Sequence, residues 1–140
     1  MALGLLQRED FVADAFPKFK ENYDTVHIDQ QFIEMIRTLH SGIHCVVVLG
    51  TWCGDSKREV PRFLKIIDLC GIPPSDITFF GVDRSKISAD GFTNRHKIER
   101  VPTFIFLKNG EEIGRIVESP KTTLEADMLS ILADAYNQVH

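Results

Sequence analysis

A chain of 140 residues, 44% apolar and 26% charged, is long enough for one domain with a real core and ordinary for a globular protein. Its formal net charge of −4 gives no large basic surface, which argues against nucleic acid as a partner. No apolar run approaches the roughly 20 residues of a membrane span, so no membrane partner is expected.

The first ten residues, Met1-Ala2-Leu3-Gly4-Leu5-Leu6-Gln7-Arg8-Glu9-Asp10, lack the charged and long apolar regions of a signal peptide. A cytoplasmic location is the expectation. From Asp10 to Asn22, Phe11, Val12, Ala15, Phe16 and Phe19 recur at helical spacing, with Pro17 kinking the segment or dividing it in two. A short extended piece around Thr25–Ile28 follows. Asp29 can cap a helix that turns Phe32, Ile33, Ile36 and Leu39 inward and ends at Ser41-Gly42.

Cys45–Gly50 is continuous and rich in β-branched residues, as in a strand buried on both faces. A helix from about Cys53 to Leu69 comes next, kinked at Pro61 and stopped by Gly71 and Pro73-Pro74. Ile77–Val82 reads as a second buried strand, and the polar stretch Lys86–Arg100 holds a short helix around Thr93–Ile98. Thr103–Leu107 is a third strand, turned at Asn109-Gly110 into an antiparallel edge strand, Glu112–Glu118. Thr122-Thr123-Leu124-Glu125 has the form of a capping box before a last helix that buries Leu124, Met128, Leu132 and Ala135. No repeat, low-complexity tract or linker interrupts the pattern. It predicts a single α/β domain over residues 1–140: a three-layer sandwich with a mixed central sheet, opened by an N-terminal helical extension over residues 1–23.

The chemistry concentrates in Thr51-Trp52-Cys53-Gly54-Asp55-Ser56-Lys57. A strand that stops at a cysteine where a helix begins sets the sulfur among unpaired backbone N–H groups and the positive end of the helix dipole, which favours a thiolate. Lys57 adds positive charge one turn on, and Asp55 opposes it. Ser56 offers a hydroxyl where a disulfide enzyme would have its second thiol, and that hydroxyl could donate a hydrogen bond to the Cys53 thiolate. The bland alternative is a small buried residue left in a degenerate site. Cys45 and Cys70 read as inert packing residues. Cys70 would lie roughly 25 Å from Cys53 along the helix, beyond disulfide reach. His27, His40, His44, His96 and His140 show no ligand spacing with one another or with the cysteines, so neither a metal nor another cofactor is expected. No Ser-His-Asp order, phosphate loop or nucleotide fingerprint is present.

Trp52-Cys53-Gly54-Asp55-Ser56-Lys57 resembles the Trp-Cys-Gly-Pro-Cys-Lys active site of the thioredoxin family. Pro61 falls where that family kinks its active-site helix, Arg100-Val101-Pro102-Thr103 resembles its cis-proline loop, and Lys108-Asn109-Gly110-Glu111 resembles its hairpin turn. The resemblance covers roughly residues 24–136. It implies a thioredoxin-like fold with Cys53 as the attacking thiol, Ser56 beside it, and Trp52, Gly54, Asp55, Arg100, Val101 and Pro102 lining the substrate site. Lys57, Pro61 and Val47 would support the site structurally. In the family's pattern Ser56 stands where the resolving cysteine would be, Asp55 replaces a proline, and Val47 takes the place of a buried acid that serves the resolving thiol.

The resemblance therefore implies a monothiol oxidoreductase that forms mixed disulfides with protein disulfides or with glutathione. A redox-inactive binding module that presents the proline loop is the alternative. An iron–sulfur protein like the Cys-Gly-Phe-Ser glutaredoxins is a more distant one, since Asp55 replaces their aromatic residue. Oligomeric state and electron donor are not legible in the sequence.

Overall fold

The computed structural model describes residues 1–139. In chain order it contains β1 (Gly4–Leu6), a 3₁₀ turn (Arg8–Asp10), α1 (Pro17–Thr25), α2 (Gln30–Arg37), β2 (Ile43–Leu49) and α3 (Gly54–Cys70). A second 3₁₀ turn (Pro74–Asp76) leads into β3 (Ile77–Gly81), α4 (Phe92–Arg95), β4 (Thr103–Lys108), β5 (Glu111–Val117) and α5 (Leu124–Val139). The five strands form one mixed sheet in the order β1-β3-β2-β4-β5. Only β2 and β3 run parallel, joined through α3, and their pairing sets Val47 opposite Phe79 and Leu49 opposite Gly81.

Strand geometry sends alternate side chains to opposite faces. Cys45, Val47 and Leu49 of β2, Phe79 of β3 and Phe104 and Phe106 of β4 face a large core built with Phe19, Ile33, Phe63, Met128 and their neighbours from α1, α2, α3 and α5. Val46, Val48, Phe80 and Ile105 face a smaller core closed by Val82, Ile98 and Val101. The segment carrying α4 covers this second face, where Phe92 stacks on Phe80 at 3.9 Å between ring centroids. The result is a mixed α/β sandwich with a thick helical layer on one face and a thin cover on the other.

Several local expectations are corrected. The N-terminal segment is not wholly helical: Gly4–Leu6 is an edge strand paired antiparallel to β3, with Leu6 buried. Helix α1 begins at Pro17, which needs no N–H in the first turn and so starts a helix instead of kinking one. Phe11 precedes it and still reaches the core, edge-on to Phe19 at 5.5 Å. Val26 leaves α1 extended, yet residues 26–29 join no strand. Helix α4 is shifted and shortened to Phe92–Arg95, because Lys97 takes a left-handed φ of 54° and Ile98 N–H turns back to the Thr93 carbonyl.

The capping box before α5 does not form. The Thr123 hydroxyl accepts from Ala126 N–H, and Asp127 accepts from the N–H groups of Lys121 and Thr122. Glu125 is drawn away by Arg62 of α3, a stronger, charged partner.

Candidate active site

The site grows from the carboxyl end of β2. Gly50 ends the strand with its N–H donated to the Ser56 hydroxyl at 3.1 Å and its carbonyl accepting Cys53 N–H at 2.9 Å. Cys53 is the N-cap of α3, in extended conformation, and its carbonyl accepts Lys57 N–H at 3.0 Å to start the helix. The thiol is half-buried, and Sγ lies 3.5 Å from the Val101 carbonyl, to which it donates. The Val101–Pro102 bond is cis. Thr103 Oγ1 donates to the Arg100 carbonyl at 2.7 Å, and Glu118 N–H donates to the Pro102 carbonyl at 2.7 Å, so both ends of this loop are pinned.

Trp52 lies against the second core, and its indole N–H donates to the Val82 carbonyl at 2.9 Å. Gly50 makes this possible: a Cβ there would come within 2.6 Å of the indole. Asp55 holds Arg58 at 2.6 Å, and Arg58 also reaches buried Glu59 at 2.8 Å. Gly54 is exposed with no neighbour near its Cα face.

The structure thus brings Trp52, Cys53, Val101 and Pro102 together. It separates other residues of the expected set. Ser56 is fully buried, and its hydroxyl serves Gly50; among the described residues no hydrogen bond joins it to the Cys53 sulfur. The backbone claims Ser56 because an unpaired N–H at the end of a buried strand is costly. Arg100 stays 70% exposed, in an ion pair with Glu118 at 3.3 Å, so its charge is already matched. Val47 and Pro61 lie in the core beneath the site. Pro61 has no N–H for the Lys57 carbonyl one turn back, and the Asn22 amide of α1 donates to that carbonyl instead, at 2.7 Å.

Two residues absent from the sequence-derived set also stand here. The Arg84 guanidinium lies 4.9 Å from the Trp52 ring centroid and the Lys86 ammonium 5.6 Å. Asp83-Arg84-Ser85-Lys86 follows β3, whose carboxyl end lies beside that of its parallel neighbour β2, and ligand sites gather at such ends. That placement was the available signal.

Burial pushes the Cys45 thiol well above its ordinary range and the Cys70 thiol up to about 11. All three cysteines are free. Among the described residues, no group of three or more His, Cys, Asp and Glu side chains is placed to hold a metal, and no helix is long and apolar enough to cross a membrane. His140 lies outside the described residues.

The family model described as thioredoxin matches residues 10–132. The chain belongs to the thioredoxin family. It is 35% identical over 83 residues to thioredoxin H9 of Arabidopsis thaliana, covering 59% of this chain and 55% of that one. It is 36% identical over 78 residues to a thioredoxin of Malassezia sympodialis, covering 55% and 70%. The chain spans about half the length of the Arabidopsis and rice thioredoxins it matches. Among solved structures, a protein of unknown function from Pseudomonas aeruginosa superposes with a TM-score of 0.59 at 17% identity, and an HIV epitope-scaffold with 0.60 at 15%. Each covers 86% of this chain and 83% of the other, a likeness of fold alone.

Proposed function

We propose that this thioredoxin-family protein is a monothiol thiol–disulfide oxidoreductase. The observation that carries the reading is the pairing of a half-exposed thiol at the α3 N-cap with a fully buried serine hydroxyl at the resolving position. The Cys53 thiolate attacks one sulfur of a substrate disulfide. A new S–S bond joins Cys53 to that sulfur, the old S–S bond breaks, and the departing thiolate takes a proton from solvent. Ser56 has no sulfur with which to expel the bound partner, so a second thiol from solution completes the exchange. Trp52, Gly54, Asp55, Val101 and Pro102 border the incoming chain. Partners are protein disulfides or glutathione, no cofactor takes part, and three free cysteines suit a reducing compartment such as the cytoplasm.

The test is incubation with glutathione disulfide followed by mass spectrometry. One glutathione per chain, attached at Cys53, lost in Cys53→Ser and released by added thiol, is the expected result. Absence of any adduct at Cys53, with the protein folded, would leave the redox-inactive binding module as the better reading. Sustained insulin reduction with a thioredoxin-regenerating system and no added small thiol would overturn the monothiol assignment.

A further inference from the structure

Resting on the monothiol reading, we propose that Arg84 and Lys86 form an anion-reading rim on Trp52 that selects partners bearing a carboxylate close to the reacting sulfur. Both cations lie over one ring, and that ring belongs to the residue preceding Cys53. Their placement is held by the turn that carries them. Asp83 Oδ1 accepts from Ser85 N–H at 2.9 Å and from the Ser85 hydroxyl. The Asp83 carbonyl accepts Lys86 N–H at 3.1 Å, and the Ser85 hydroxyl accepts Ile87 N–H at 3.2 Å. Lys86 takes a φ of 59°, a left-handed conformation unusual for a side-chain-bearing residue. Beneath, the indole is fixed by its bond to Val82 and by the bare Cα of Gly50.

The charge balance is local. Among the described residues neither Arg84 nor Lys86 makes an ion pair. Of the other ionic side chains near the sulfur, Asp55 is matched to Arg58 and Arg100 to Glu118, while Lys57, one turn along α3, adds a further positive charge with no ion pair among the described residues. Asp83 is the nearest acid in sequence, and its carboxylate is engaged by Ser85 within the turn. Two cations without an ion-pair partner among the described residues thus stand on the indole in a chain whose net charge is −4. Sitting over a π face costs them little hydration and leaves their N–H groups free to meet an anion. A guanidinium fork beside an ammonium fits a carboxylate, by bidentate and point-charge contact respectively. Two sources carry carboxylates beside a cysteine sulfur: glutathione, and a protein segment with Glu or Asp next to its cysteine.

The single tryptophan of the chain gives a readout independent of disulfide chemistry. Trp52 fluorescence of the Cys53→Ser protein is titrated with S-methylglutathione, with a blocked Glu–S-methylcysteine–Glu peptide, and with the corresponding Lys-flanked peptide. Saturable binding of at least one anionic probe is expected, weakened about three- to tenfold in Arg84→Gln/Lys86→Gln and by 1 M salt, and retained in the charge-conserving Arg84→Lys/Lys86→Arg. The probe that binds more tightly identifies the source. Equal binding of the Lys-flanked peptide, no binding of either anionic probe, or binding indifferent to both variants would overturn the rim. Because Cys53 is absent from this experiment, failure here leaves the monothiol reading standing, and failure of the glutathione adduct in the wild-type chain would strike that reading instead.

Discussion

At Cys53 the distinguishing property is access. Cys45 is 3% and Cys70 4% exposed, and desolvation raises both thiols, Cys70 to about 11, so they stay protonated at neutral pH. Iodoacetamide at pH 8 is expected to alkylate Cys53 alone in the native chain and all three cysteines in denaturant, read by peptide mass spectrometry. The cysteine was legible from its place between a β-branched run and a helix. The use of Ser56 was not: sequence offers its hydroxyl to the sulfur, whereas the end of β2 has a buried Gly50 N–H that must be satisfied. The place of Arg84 is not legible for a related reason, since contact with Trp52 depends on strand order and not on spacing along the chain. Ser56→Cys tests what the serine replaces. A thiol one turn from Cys53 on the same helix start is expected to give an oxidised form that resists alkylation until dithiothreitol is added. The Gly50 N–H loses its oxygen acceptor in that variant, which is expected to cost about 1–3 kcal/mol in urea unfolding.

Among the elements, α3 carries the site and packs against α1, α2 and α5, and two of its bonds show how. Pro61 leaves the Lys57 carbonyl without its helical donor, and Asn22 of α1 supplies one. Asn22→Ala is expected to cost about 1–2 kcal/mol, and less in a Pro61→Ala background, where a backbone N–H can reach the same carbonyl; a double-mutant cycle in urea measures the difference. The second bond is the Arg62–Glu125 pair, two contacts of 2.8 Å, which also takes Asp29 N–H at 3.3 Å and so ties α2, α3 and α5 together. Burial of Glu125 is the largest single effect and opposes its ionisation, but the Arg62 hydrogen bonds and charge together with backbone N–H donors outweigh it and hold the carboxyl below its ordinary value of 4.5. A depressed carboxyl stabilises the fold above that ordinary value and loses the contribution as pH falls through the folded-state one. The urea midpoint is therefore expected to drop as pH is lowered below about 4.5, with a shallower drop in Glu125→Gln, which at pH 7 is weaker by about 3 kcal/mol. Sequence located every helix from α2 onward to within a few residues, because apolar periodicity survives folding. It misassigned the cap of α5, since the partner that takes Glu125 lies 63 residues away.

For the molecule as a whole, the sheet order β1-β3-β2-β4-β5 explains both the site and the N-terminal surprise. Parallel β2 and β3 end side by side, which brings the Cys53 turn and the Arg84 turn together. The central strands were legible because they are buried on both faces and read as unbroken apolar runs. The edge strand β1 is only three residues long, with a burial pattern that alternates, and it gains its structure from the β3 backbone it meets. Such short pairings carry no period that a sequence reading can recognise. Their role is nonetheless structural. Leu6 packs in the large core, and Leu5 and Leu6 stand opposite Phe80 and Phe79. Removing residues 1–6 would bare β3 as an edge flanked by aromatic side chains, the kind of edge that pairs with another chain. Leu6→Ala is expected to lower stability by about 2–3 kcal/mol in urea unfolding while leaving the protein monodisperse, since β1 still covers the edge. The truncated chain is expected to lose at least as much and to self-associate with rising concentration in sedimentation velocity. If it stays unchanged in both, β1 is a passive strand, and the β3 edge is protected by another means.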